Sequence, residues 1–195
     1  MSFFPNNIDT SKIALLSDAN ESLTYEELHL FSENMGIYVN SRSTVFCLCK
    51  NETGALAGYY SFLENRIVPV MLDANIDYDL LSGLLEIYRP DCVWAPDNHA
   101  IVTGNPCLFK AYNYSLIPFS KNKIELYSDL ALLLTTSGST GSPKLVRLSY
   151  DNIISNAKAI AEYLNIDNHE RPVTSLPMHY SYGLSVINSH LIKGA

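Results

Sequence analysis

Basic charge is scarce in this chain: 13 Lys and Arg stand against 20 Asp and Glu, a net charge of −7. A nucleic-acid partner calls for a basic stripe to displace counterions, so that class is excluded. Long apolar runs are lacking as well. No stretch approaches the roughly 18 residues that a membrane span requires. The opening residues Met1-Ser2-Phe3-Phe4-Pro5-Asn6-Asn7 have neither the charged nor the apolar region of a signal peptide, so cytoplasmic residence is the default expectation. Four cysteines occur, none in a CxxC pair. Cys47 and Cys49 alternate on one strand face, where they are either a rudimentary metal site or buried reduced thiols acting as small hydrophobes. Internal repeats and low-complexity tracts are also missing.

What is present is an ordinary globular composition. With 195 residues, 47% hydrophobic and 17% charged, the chain can bury a sizeable core. Periodicity alternates along it. Thr24 followed by Glu27 is a capping box that opens a helix running towards Met35. Val45–Cys49 reads as a strand, 52–64 as a helix, and 67–72 as a strand whose Pro69 marks an edge, a start or a bulge. A helix is predicted over 78–88, stopped by Arg89-Pro90, and a strand over 92–95. Residues 97–128 read as short strands and loops. Beyond the next strand pair, the pattern predicts a helix over 150–164, a strand over 173–176 and a helix over 182–192. The expected fold class is α/β, a doubly wound and mostly parallel sheet with flanking helices.

The densest signal lies between two apolar runs, Leu130–Leu134 and Leu145–Leu148. There the chain reads Thr135-Thr136-Ser137-Gly138-Ser139-Thr140-Gly141-Ser142-Pro143-Lys144. Glycines let several backbone N–H groups approach one anion, and hydroxyls add donors. Lys144 brings a full charge within reach of terminal phosphate oxygens, and Pro143 fixes the direction from which it comes. A surface linker has a similar composition but needs no fixed charge at its end. A Walker A loop needs Gly-Lys-Ser/Thr opening a helix, whereas here Pro143 precedes the lysine and Leu145 follows it.

Residues 136–144 resemble the phosphate-binding signature of the adenylate-forming superfamily: acyl-CoA synthetases, peptide-synthetase adenylation domains and luciferases. Three more stretches resemble that family's motifs in order. They are Leu23-Thr24-Tyr25-Glu26-Glu27-Leu28, Val68-Pro69-Val70-Met71-Leu72-Asp73, and Pro177-Met178-His179-Tyr180-Ser181-Tyr182-Gly183-Leu184. Three positions depart from the pattern. Leu145 replaces the usual glycine after the loop lysine, Tyr150 a usual histidine, and Glu64-Asn65-Arg66 stands where an Ala-Gly pair is usual.

The resemblance implies an ATP-dependent ligase that activates a carboxylic acid as an acyl-adenylate, releases pyrophosphate and passes the acyl group to a thiol of coenzyme A or a carrier protein. It assigns ATP to Thr136, Ser137, Gly138, Ser139, Thr140, Gly141, Ser142, Pro143 and Lys144, with Lys144 and His179 as catalytic residues. His179, Tyr180, Tyr182 and Gly183 are expected to line the acid site. His29, His99, His169 and His190 have no partner at ligand spacing and read as incidental. Residues 1–195 are expected to be the N-terminal portion of the adenylation domain, truncated and inactive alone. No metal ligand is assigned within the chain, and the magnesium ligand is expected beyond residue 195. The alternatives from other classes are a non-catalytic nucleotide- or acyl-binding module and an interaction domain whose loop is a linker.

Overall fold

A computed structural model describes residues 8–18, 20–120, 125–135 and 144–195. A two-stranded antiparallel hairpin, β1 (Ile13–Leu16) and β2 (Ser22–Thr24), leads into α1 (Tyr25–Tyr38). Thr24 caps that helix as its sequence predicts. Its Oγ1 accepts from the Glu27 N–H at 3.2 Å, while Glu27 Oε2 accepts from the Thr24 N–H at 2.7 Å.

Next come β3 (Thr44–Cys49), α2 (Thr53–Glu64), β4 (Val68–Asp73), α3 (Tyr78–Tyr88), β5 (Cys92–Pro96), β6 (Phe109–Ala111) and β7 (Tyr114–Pro118). The chain closes with β8 (Leu130–Thr135), β9 (Leu145–Ser149), α4 (Tyr150–Tyr163) and α5 (Ser181–Leu191). Seven strands form one sheet in the order β6-β7-β5-β3-β4-β8-β9. Its centre, β5-β3-β4-β8, is parallel, and β7 and β9 run antiparallel to their neighbours. The result is the mostly parallel α/β sheet that the alternating pattern predicts.

Alternation along the strands loads both faces. Val45, Cys47 and Cys49 of β3 join Met71, Trp94 and the apolar sides of α1, α2 and α5. Phe46 and Leu48 point the other way and pack with Val70, Leu72, Val93 and, from α3, Leu81 and Leu84. Strands buried on both faces read as near-continuous apolar runs. Trp94 anchors the first face, fully buried, with its Nε1–H donating to the Gly54 carbonyl at 2.9 Å.

Two expectations need amendment. Pro69 lies in an interior strand, not at an edge: it stands opposite Val45, and pairing with β8 begins one residue later at Val70. Of the three alternatives, strand start is the one observed. Residues 173–176, predicted as a strand, form none. The carbonyls of Thr174 and Leu176 accept instead from the side chain of Asn51, at 2.6 and 2.8 Å.

Candidate functional site

In an open α/β sheet, ligands settle at the carboxyl ends of strands where successive connections leave on opposite faces. Here α2, which follows β3, packs in one core and α3, which follows β4, packs in the other. The carboxyl ends of β3 and β4, beside Asn51 and Asp73, are therefore the expected position of a binding crevice.

His179 comes to this crevice from a distant part of the sequence. Its Nε2 lies 3.9 Å from Oδ2 of Asp73, and the residue is 9% exposed. Burial pulls the imidazole below the ordinary histidine range, while the Asp73 carboxylate pulls the other way and only partly offsets it. The ring is neutral at pH 7. Asp73 is itself fixed, because its Oδ1 accepts from the Asn75 N–H at 2.8 Å. The Tyr180 ring stands 4.6 Å from the imidazole between centroids, tilted by 44°.

The structure separates the remaining residues of that segment. Tyr182 is largely exposed and lines a groove of about 420 Å³ between α4 and α5, with Tyr163 and Ser185. Gly183 is buried, and a Cβ there would stand 2.3 Å from the Pro177 carbonyl oxygen. Close backbone approach is thus sufficient reason for a glycine at this position.

Lys144 directly precedes β9, whose Leu145 pairs with Thr135 at the carboxyl end of β8. Since β8 runs parallel to β4, with Leu134 opposite Met71, the β8–β9 connection leaves from the same edge of the sheet as Asp73. Thr136, Ser137, Gly138, Ser139, Thr140, Gly141, Ser142 and Pro143 lie outside the described residues.

Other side chains fall away from the crevice. His190 Nδ1 donates to the Val186 carbonyl at 2.7 Å within α5, and His99 Nδ1 accepts from the Ile101 N–H at 3.2 Å. Cys47 and Cys49 are buried with their sulfurs 3.7 Å apart. Among the described residues no group of three or more His, Cys, Asp or Glu is placed to hold a metal. No described helix is long and apolar enough to cross a membrane. A mostly apolar cavity of about 500 Å³, walled by Leu15, Leu56, Val173, Met178, Ile187 and Leu191, also reaches Asn51 and Thr174 and so adjoins the candidate site.

Two residues of the crevice carried no assigned role in the sequence. Asp73 ends a recognised motif, and Asn51 stands just past a predicted strand. Their position at the carboxyl edge was the available signal, but it becomes useful only once the strand order is known.

Comparison with known proteins agrees with this architecture. The family model described as AMP-binding enzyme matches residues 7–195. The 3,4-dihydroxybenzoate–[aryl-carrier protein] ligase of Bacillus anthracis is 28% identical over 163 residues, covering 82% of this chain and 34% of that protein. The D-alanine–D-alanyl carrier protein ligase of Streptococcus pyogenes is 22% identical over 177 residues, covering 86% and 35%. The chain thus spans about a third of the length of these relatives. Apo MatB from Rhodopseudomonas palustris superposes with a TM-score of 0.79 at 20% identity, over 99% of this chain and 43% of that one. The o-succinylbenzoate CoA synthetase of Bacillus subtilis, in complex with its acyl-adenylate intermediate, gives 0.70 at 20% identity, over 94% and 51%. At such identities these two structures bear on the fold alone. With its motifs in order on a doubly wound sheet and a family match across 7–195, the chain belongs to the AMP-binding enzyme family.

Proposed function

We propose that the full-length protein activates a carboxylic acid with ATP as an acyl-adenylate, releasing pyrophosphate, and then transfers the acyl group to a thiol. In this proposal residues 1–195 are the N-terminal portion of the adenylation domain. They supply the phosphate loop and part of the acid site, and are inactive alone. The observation that carries it is the Thr136–Lys144 sequence, which joins β8 to β9 in a chain that matches the family across 7–195. The family match and the ligase relatives support it.

Both reactants are anions, so the protein's task is charge neutralisation and alignment. The cationic Lys144 offsets the charge on the terminal phosphates and on the leaving pyrophosphate. His179, neutral at pH 7, presents a polar ring to the incoming acid without holding it as a tight ion pair. Tyr180, whose ring lies tilted against the imidazole, forms part of the same wall. Magnesium normally accompanies such phosphates, but the described residues hold no group of three or more His, Cys, Asp or Glu placed to bind it.

The acceptor is the thiol of a carrier-protein pantetheine or of coenzyme A. The two ligase relatives act on carrier proteins, which favours the first. Acid-dependent formation of a hydroxamate from hydroxylamine, with matching pyrophosphate release, tests this function in the full-length protein. ATP binding without either product would instead indicate a non-catalytic nucleotide-binding module.

A further inference from the structure

His179 sits in a stretch with no ladder of its own. Residues 171–178 form neither helix nor strand, so the backbone groups of 174–178 must find other partners. Three of them find Asn51. Its Nδ2 donates to the carbonyls of Thr174 and Leu176 at 2.6 and 2.8 Å, and its Oδ1 accepts from the Met178 N–H at 3.0 Å. Two acceptors and one donor fit a single orientation of the carboxamide, so the side chain cannot flip without losing all three bonds.

The clamp itself stands on firm ground. Asn51 lies in the short turn between β3 and α2, where the Lys50 N–H donates to the buried Tyr114 hydroxyl at 3.1 Å. The Glu52 N–H closes the turn on the Lys50 carbonyl at 2.9 Å. Met178 is 1% exposed, and the next residue in sequence is His179.

We propose that Asn51 is a positioning residue for His179: its carboxamide fixes 174–178 across the carboxyl end of β3 and so sets the imidazole beside Asp73. Asn51 acts through the backbone: its three hydrogen bonds go to residues 174, 176 and 178. The consequence for acid activation rests on the function proposed above, whereas the positioning itself does not.

Asn51→Ala removes both donors and the acceptor without adding charge. In the full-length protein, amide hydrogen exchange at Met178 is expected to rise about tenfold, with the amides of β3 and β4 unchanged. The His179 ring resonances are expected to move, and the KM for the acid to rise while that for ATP holds. Asn51→Asp keeps the acceptor for the Met178 N–H but loses both donors and turns a carboxylate towards two carbonyl oxygens. It is therefore expected to move the His179 resonances and raise the KM for the acid, with a smaller change in Met178 exchange. Unchanged exchange at Met178 in Asn51→Ala, or loosening shared equally with β3 and β4, overturns the proposal. Should the wild-type protein activate no acid, the function fails, and the exchange and resonance readouts still decide the role of Asn51.

Discussion

The guanidinium carbon of Arg66 lies 4.8 Å from the centroid of the Tyr150 ring. These are two of the positions at which the chain departs from the pattern of its superfamily, and the fold brings them into contact. Arg66 takes a left-handed backbone, φ 55°, in the stretch that stands where an Ala-Gly pair is usual. Its side chain then lies over the first residue of α4.

A cation held over an aromatic face is worth about 0.5–1 kcal/mol when exposed, as Arg66 is. A double-mutant cycle of Arg66→Ala and Tyr150→Leu is expected to return a coupling of that size in chemical denaturation. The backbone strain of a non-glycine residue at position 66 appears in both arms and cancels. Coupling within error of zero would make the contact incidental.

Gly183→Ala drives a methyl group against the Pro177 carbonyl, which already accepts from the Tyr180 N–H at 3.1 Å. Neither backbone can yield cheaply. Overpacking of this kind costs about 1–3 kcal/mol, read as a lower denaturation midpoint at unchanged slope. An unchanged midpoint would show that α5 shifts freely.

Asp73→Asn removes the charge that partly offsets the effect of burial on His179, so the imidazole pKa is expected to fall further. The sign for stability follows from that direction. A folded pKa below the ordinary value of about 6.5 favours the neutral ring, so the contribution is complete above that pH. It is lost as pH falls through the folded value. Titration of the His179 ring resonances checks both: in Asp73→Asn the midpoint lies lower than in wild type. A midpoint that rises would contradict the assignment of the 3.9 Å contact.

The cysteines differ sharply in reactivity on geometry alone. Cys47, Cys49 and Cys92 are buried and Cys107 is exposed. Burial pushes the Cys49 thiol well above its usual range and raises Cys92 to about 11, with Asp91 adding to the latter. Thiolate is the reactive form. Brief alkylation of the native protein at pH 8 is therefore expected to label Cys107 and spare the other three, as mapped by peptide mass spectrometry. Labelling of Cys47 or Cys49 at a similar rate would mean that the sheet opens readily.

Local signals in this sequence translated well into structure. Thr24 and Glu27 announce α1, and the helix predicted over 78–88 is α3 with the same bounds. The Ser149 capping box of α4 is harder to see, because Asn152 stands where Glu or Gln is usual. Residues 173–176 mislead for a different reason. Their composition suits a strand, but the partner that takes their carbonyls is a side chain more than 120 residues away. The His179–Asp73 pairing is illegible on the same grounds. It depends on strand order, which no local pattern encodes.

Under the proposed function, Lys144 offsets the charge of the terminal phosphates of ATP. ATP–pyrophosphate exchange by the full-length protein, with a pool of carboxylic acids, tests it most directly beside the Lys144→Ala variant. A charge-assisted hydrogen bond contributes about 1.5–3 kcal/mol, so the variant is expected to exchange about ten- to a hundredfold more slowly than wild type. Full exchange and unchanged ATP affinity in Lys144→Ala would contradict the assignment of the phosphate site.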